Sequence, residues 1–138
     1  MFLFHDVSDE FAMDLIAKMT FEIHTDGDRI IREGNQARRM FMVSKGSARI
    51  KSATYQLEQV VRKGSSFGEA GLLAPFSKRP CDVIAEEVCE VYAIATEDFV
   101  EVAVEYPDDM KKILGKASEV FLKRKHGRTH VKKGRKTK

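Results

Sequence analysis

Two periods of apolar residues run along the chain. Residues 8–19, SDEFAMDLIAKM, carry Phe11, Leu15, Ile16 and Met19 at helical spacing, with Ser8 placed to cap and Asp9 and Glu10 in the first turn. From Phe21 to Ala95 the segments shorten. FEIH, RIIRE, MFMVSKG, SARIKSA, YQLEQVVRKG and CDVIAEEVCEVYAIA mix apolar and polar residues, and are β-branched or aromatic in places. Asp26-Gly27-Asp28, Gly34-Asn35, Lys45-Gly46 and Lys63-Gly64 punctuate them, with Lys45-Gly46 falling between MFMVSKG and SARIKSA. Short strands closely spaced by glycine turns predict an antiparallel roll rather than a parallel sheet, which would need long helices between strands.

Helical character returns at Thr96, a candidate N-cap followed by Glu97 and Asp98, then Phe99, Val102 and Ala103. Pro107 suits the first position of a second helix, with Asp108 and Asp109 near its N-terminus. Met110, Ile113, Leu114, Ala117, Val120 and Phe121 then form one apolar stripe that needs a surface to lie on. The predicted fold class is α+β, mainly β: a jelly-roll-like antiparallel β-roll (a double-stranded β-helix) flanked by an N-terminal helix and two C-terminal helices. No internal repeat is visible.

Charge changes this picture only at the end. Residues 123–138 hold nine of the 24 lysines and arginines and no acid, which leaves 15 against 21 acids, a net of −6, in residues 1–122. The net +3 of the whole chain therefore belongs to a tail, predicted to be disordered over 126–138, and not to a basic fold surface. At 138 residues the chain is expected to form one domain. No apolar run approaches the roughly 18 residues of a membrane span, and the acidic start is unlike a signal peptide. Cys81 and Cys89 match no metal or disulfide spacing and read as small buried residues in a reducing cytosol.

The segment between the last two predicted strands, Phe67 to Ala85, carries the candidate chemistry. Gly68 permits close backbone approach, and Glu69 to Leu73 can form one helical turn whose free N–H groups suit an anion. Arg79 supplies a planar cationic fork and Glu69 acceptors for sugar hydroxyls. Those groups in one crossover describe a site for a ribose phosphate. The plainer reading is a polar loop whose Glu69 and Arg79 pair with each other.

FGEAGLL–x5–R–x3–V–x–A resembles the phosphate-binding cassette of the cyclic-nucleotide-binding domain family, and DGDRIIREGN, MFMVSKGSARI and RKGSSFGE resemble its strands in the same order. The resemblance covers residues 1–125, divided as an N-terminal helical segment 1–20, a β-roll 21–95 with the cassette at 67–85, and hinge and lid helices 96–125. It implies that Arg79 pairs with a cyclic phosphate, helped by backbone N–H groups at Ala70 and Gly71. It implies too that Glu69 accepts the ribose 2′-hydroxyl beside Gly68, and that Ile50 and Val61 wall the purine; both also suit ordinary core. The family usually has Thr or Ser and then Ala after the arginine; here Pro80 and Cys81 stand there, and Pro80 offers neither hydroxyl nor N–H.

Glu105-Tyr-Pro-Asp-Asp-Met-Lys-Lys-Ile-Leu is similar to the start of the lid helix in channel-type members, the cyclic-nucleotide-gated and hyperpolarisation-activated channels. Lid contacts then fall on Val120, Phe121, Lys123 and Arg124, although Lys123 and Arg124 also suit a basic helix end. Arg124 accepts no hydrogen bond, where channels that favour cGMP place an acid. With Pro80, this makes cAMP the expected ligand over cGMP.

The expectation is a cytosolic sensor rather than an enzyme, without cofactor or metal. It would be an excised module of a membrane channel or transporter, on whose cytosolic face it would lie. Its partners would be a cyclic nucleotide and the parent's transmembrane domains, with the basic tail able to meet anionic lipid. Two alternatives are a family scaffold that has lost nucleotide binding and serves interaction or assembly, and a metal-dependent cupin-like enzyme. The scattered His5, His24, His126 and His130 disfavour the enzyme. A DNA-binding activator needs a helix-turn-helix after the lid, for which the remaining residues are too few, so no DNA partner is expected.

Overall fold

The computed structural model describes residues 6–54 and 56–119. Helix α1 (Asp9–Lys18) leads into strands β1 (Thr20–His24), β2 (Arg29–Ile31), β3 (Arg39–Ser52), β4 (Leu57–Arg62) and β5 (Ser66–Phe67). A one-turn helix α2 (Ala70–Leu73), strand β6 (Asp82–Ala95) and helix α3 (Thr96–Ala103) follow. A further helix, α4, occupies residues 107–119. The strands form one antiparallel sheet in the order β1-β6-β3-β4, with β2 also on β6 and β5 also on β3. The mainly β, antiparallel architecture with flanking helices is the one the periodicity predicts.

One expectation fails. The segment around Lys45-Gly46 is not a hairpin but the middle of a single 14-residue strand, β3, paired along its length with the equally long β6. The register slips between Val43 and Lys45 and again between Lys45 and Ser47, so the ribbon bulges and bends there. The bulge also changes which side chains face inward: Phe41 and Val43 before it, Ala48 and Ile50 after it, all in one interior cluster. A break in alternation reads in sequence as two strands and a turn. Gly46 sits at the bend with φ +82°, and a Cβ there would lie 2.1 Å from the Val88 carbonyl oxygen.

Both faces of this ribbon are covered. Phe41, Val43, Ile50, Val61, Phe67, Val83, Cys89 and Val91 fill the roll. Met40, Met42 and Ile94 point the other way and meet Phe11 and Leu15 of α1, Phe99 and Val102 of α3, and Ile113 and Ala117 of α4. The stripe on α4 thus lies on α1, α3 and the outer face of the sheet. The buried residues of α1 are Phe11 and Leu15, with Phe11 against the Phe99 and Tyr106 rings; Ile16, expected on the same stripe, is exposed.

Two cap expectations resolve differently. Ser8 caps α1, accepting from the Phe11 N–H at 3.3 Å, and its hydroxyl also donates to Asp109 Oδ2 at 2.7 Å, tying α1 to the first turn of α4. Thr96 does not cap α3. The N-cap position falls on Ala95 with no side-chain bond, and the buried Thr96 hydroxyl donates instead to the Gly71 carbonyl, 3.2 Å away. Tyr106 closes the helical layer by donating to Asp14 Oδ2 at 2.6 Å. The tail, 126–138, lies outside the described residues, as does Val120 onward.

Candidate functional site

The crossover from β5 to β6 is held at both ends. At its start, Phe67 pairs with Phe41 in register, and their rings stack with centroids 5.0 Å apart and 11° between planes. At its end, residues 76–79 run beside 34–37. Arg79 donates its N–H to the Asn35 carbonyl at 2.7 Å and accepts from the Gly34 N–H at 2.8 Å, while Ala37 donates to the Ser77 carbonyl at 2.7 Å. The Arg79 backbone is therefore fixed before its side chain is considered.

Between these anchors the chain turns at Gly68, whose φ of +80° favours glycine. A Cβ there would lie 3.2 Å from Arg79 Nη1 and 3.3 Å from both the Arg39 carbonyl oxygen and Ile31 Cδ1. The missing side chain lets the guanidinium reach the turn. Arg79 Nη1 donates to the Gly68 carbonyl at 3.0 Å, and Nη2 to the Arg39 carbonyl. Within the turn, Gly71 donates to the Gly68 carbonyl at 3.2 Å and Leu72 to the Glu69 carbonyl at 2.9 Å, so the Gly71 N–H, expected to be free, is engaged by the turn itself.

Arg79 is 6% exposed and Glu69 3%. Burial strips water from the guanidinium and brings its pKa down to about 10; the Glu69 carboxylate opposes this, and the Arg39 guanidinium adds to it. The guanidinium is thus held by two backbone carbonyls with the buried Glu69 carboxylate close enough to act on it. The Arg39 side chain lies over the Phe41 ring, 4.9 Å from its centroid, and donates to Glu22 Oε2 at 2.5 Å.

The remaining expected positions fall nearby or out of view. Ile50 and Val61 are buried on β3 and β4 in the cluster that contains Ile31 and Phe67, the neighbours of the cassette. Cys81 is half-buried and packs against that cluster, with Pro80 half-buried before it. Ala70 opens α2. Val120, Phe121, Lys123 and Arg124 lie outside the described residues. Sequence reasoning missed Ile31, which meets Gly68, and Arg39, whose contribution is a backbone oxygen and so has no residue-type signal. It also missed the Thr96 contact, because a threonine before two acids reads as a cap.

Among the described residues no three His, Cys, Asp or Glu side chains are grouped as a metal ion would require, and no helix is long and apolar enough to cross a membrane. Residues 22–106 match the cyclic nucleotide-binding domain family. The chain is 34% identical over 105 residues to potassium/sodium hyperpolarization-activated cyclic nucleotide-gated channel 1 of Homo sapiens, covering 76% of this chain and 12% of the channel. Two solved structures are similar in fold. A putative cyclic nucleotide-binding protein from Geobacter metallireducens has a TM-score of 0.75 at 17% identity, over 88% of this chain and 90% of the other. The Thermus thermophilus catabolite activator protein has a TM-score of 0.72 at 20% identity, over 90% of this chain and 58% of the other. Roll, crossover and the 85 residues matched agree: this chain belongs to the cyclic nucleotide-binding domain family.

Proposed function

We propose that the chain is a non-enzymatic sensor that binds cAMP in preference to cGMP and regulates a channel or transporter to which it is joined. The observation that carries this reading is the Arg79 guanidinium, buried beside Glu69 and reaching the carbonyls of Gly68 and Arg39 across the crossover. In the bound form Arg79 pairs with the cyclic phosphate, with Ala70 presenting its backbone N–H and Gly71 turning its N–H from the Gly68 carbonyl to the phosphate. Glu69 accepts the ribose 2′-hydroxyl at Gly68. Ile50, Val61 and Cys81 form the apolar wall behind the purine. Residues 1–125 act as one unit, and Val120, Phe121, Lys123 and Arg124 contribute to the lid.

The preference for cAMP rests on what is missing. Pro80 has no hydroxyl and no N–H for the phosphate or a guanine amino group, and Arg124 has no acceptor for the guanine edge. Binding would shift the population of α4 arrangements by the difference in affinity between them. The channel parent is supported by the identity to hyperpolarization-activated channels, of whose length the chain spans about an eighth. The working compartment is then the cytosolic face of a membrane, where the basic tail can meet anionic lipid.

Calorimetric titration of the whole chain with cAMP and with cGMP tests the reading. Saturable binding with cAMP tighter is the expected result. Tighter cGMP would overturn the preference alone. Binding of neither would favour the scaffold alternative, for which the observation is the same guanidinium already satisfied by protein carbonyls.

A further inference from the structure

A buried polar contact joins the cassette to the helical layer. Thr96 is 5% exposed, and its hydroxyl donates to the Gly71 carbonyl in the only turn of α2, at 3.2 Å. Its backbone is fixed separately, since the Thr96 N–H donates to the Arg38 carbonyl at 2.9 Å. Gly71 has no room to spare: a Cβ there would lie 3.2 Å from the Thr96 hydroxyl and 3.6 Å from the Arg39 carbonyl oxygen. A hydroxyl at the start of a helix ordinarily serves that helix's own free N–H groups. Here α3 starts without a side-chain cap, and the hydroxyl goes to the cassette.

The two ends of α2 are thus gripped by different parts of the fold. Arg79 holds the Gly68 carbonyl just before the turn, and Thr96 holds the Gly71 carbonyl inside it. Thr96 is also the first residue of α3, whose Phe99, Val102 and Ala103 share a cluster with Ile113 and Ala117 of α4. Leu72 of α2 packs against the same cluster. We propose that the Thr96 hydroxyl is a positioning contact that makes α2 move together with α3 and α4, so that occupancy of the cassette is felt by the helical layer. The proposal rests on the sensor reading above. An anion that draws the Arg79 donors away leaves the Gly68 carbonyl to the Gly71 N–H of the same turn, for which the anion also competes, while Thr96 keeps the Gly71 carbonyl. Displacement of the turn is then passed to the start of α3 rather than absorbed in the crossover. Because coupling is reciprocal, the arrangement of α3 and α4 in turn sets the affinity of the cassette.

Hydrogen exchange of the whole chain, read over 107–119 with and without saturating cAMP, tests this in wild type, Thr96→Val and Thr96→Ser. Valine keeps the shape and removes the donor; serine keeps the donor. In Thr96→Val the cAMP-induced change in exchange over 107–119 is expected to fall by a factor of about two to ten, the worth of one hydrogen bond. In Thr96→Ser it is expected to stay at the wild-type level, a rescue that a purely packing role for the side chain would not give. Thr96→Ala, compared with Thr96→Ser, gives the same contrast should the valine crowd Gly71 and unfold the chain. A full wild-type response in folded Thr96→Val and Thr96→Ala overturns the coupling role and leaves the sensor reading intact. No cAMP binding by the wild type contradicts the sensor reading and removes the basis of the coupling with it.

Discussion

Gly46 and Glu22 show how much single residues decide here. Gly46 holds a positive φ with the Val88 carbonyl where a Cβ would stand. Gly46→Ala has both conformational strain and a backbone clash to relieve, so a loss of about 2–4 kcal/mol is expected in denaturant unfolding. Glu22, on β1, is held between Arg39 and His24. Burial pushes its carboxyl up, but hydrogen bonds and charge from Arg39, then His24, outweigh this and hold it below its ordinary 4.5. A depressed carboxyl contributes stability that is present above the unfolded value of 4.5 and is lost as pH falls through the folded one. Stability measured against pH should therefore decline below about 4.5 in wild type, and less steeply in Glu22→Gln. Equal slopes would remove Glu22 from the account. At this scale Arg79, Glu69 and Gly68 were legible because a cation, a carboxylate and a glycine in one crossover have chemistry of their own. Arg39 was not, since its contribution to the site is a carbonyl that every residue type possesses.

Among the elements, α1 depends on α4 at a point that neither periodicity reveals. Ser8 both caps α1 and donates to Asp109, whose carboxylate is buried in the first turn of α4. Ser8→Ala removes the cap and a donor to a buried charge, so about 2–3 kcal/mol of stability should go. Asp109→Asn, which keeps an acceptor, should cost less. Comparable losses in the two variants would mean that the carboxylate charge, rather than the cap, matters. The helices α1, α3 and α4 were read from their stripes because one face of each meets a single surface. The long strand β3 was read as two because the bulge near Lys45 shifts the inward-facing set by one position. Thr96 was misread for a related reason: local sequence specifies a capable hydroxyl, and tertiary packing chooses which carbonyl receives it.

For the whole molecule, a ligand held only by the folded crossover must stabilise the fold. At free cAMP near 100 times its dissociation constant the gain is about 2.7 kcal/mol, which for a domain of this size raises Tm by roughly 10 °C. An unchanged Tm at that concentration would contradict specific binding. The most direct measurement is the affinity of Arg79→Ala for cAMP, taken on protein shown to be folded by its unfolding transition. One buried cation contacting a phosphate is worth at least about 100-fold, so the account predicts a loss of that order. Wild-type affinity in the folded variant would contradict it.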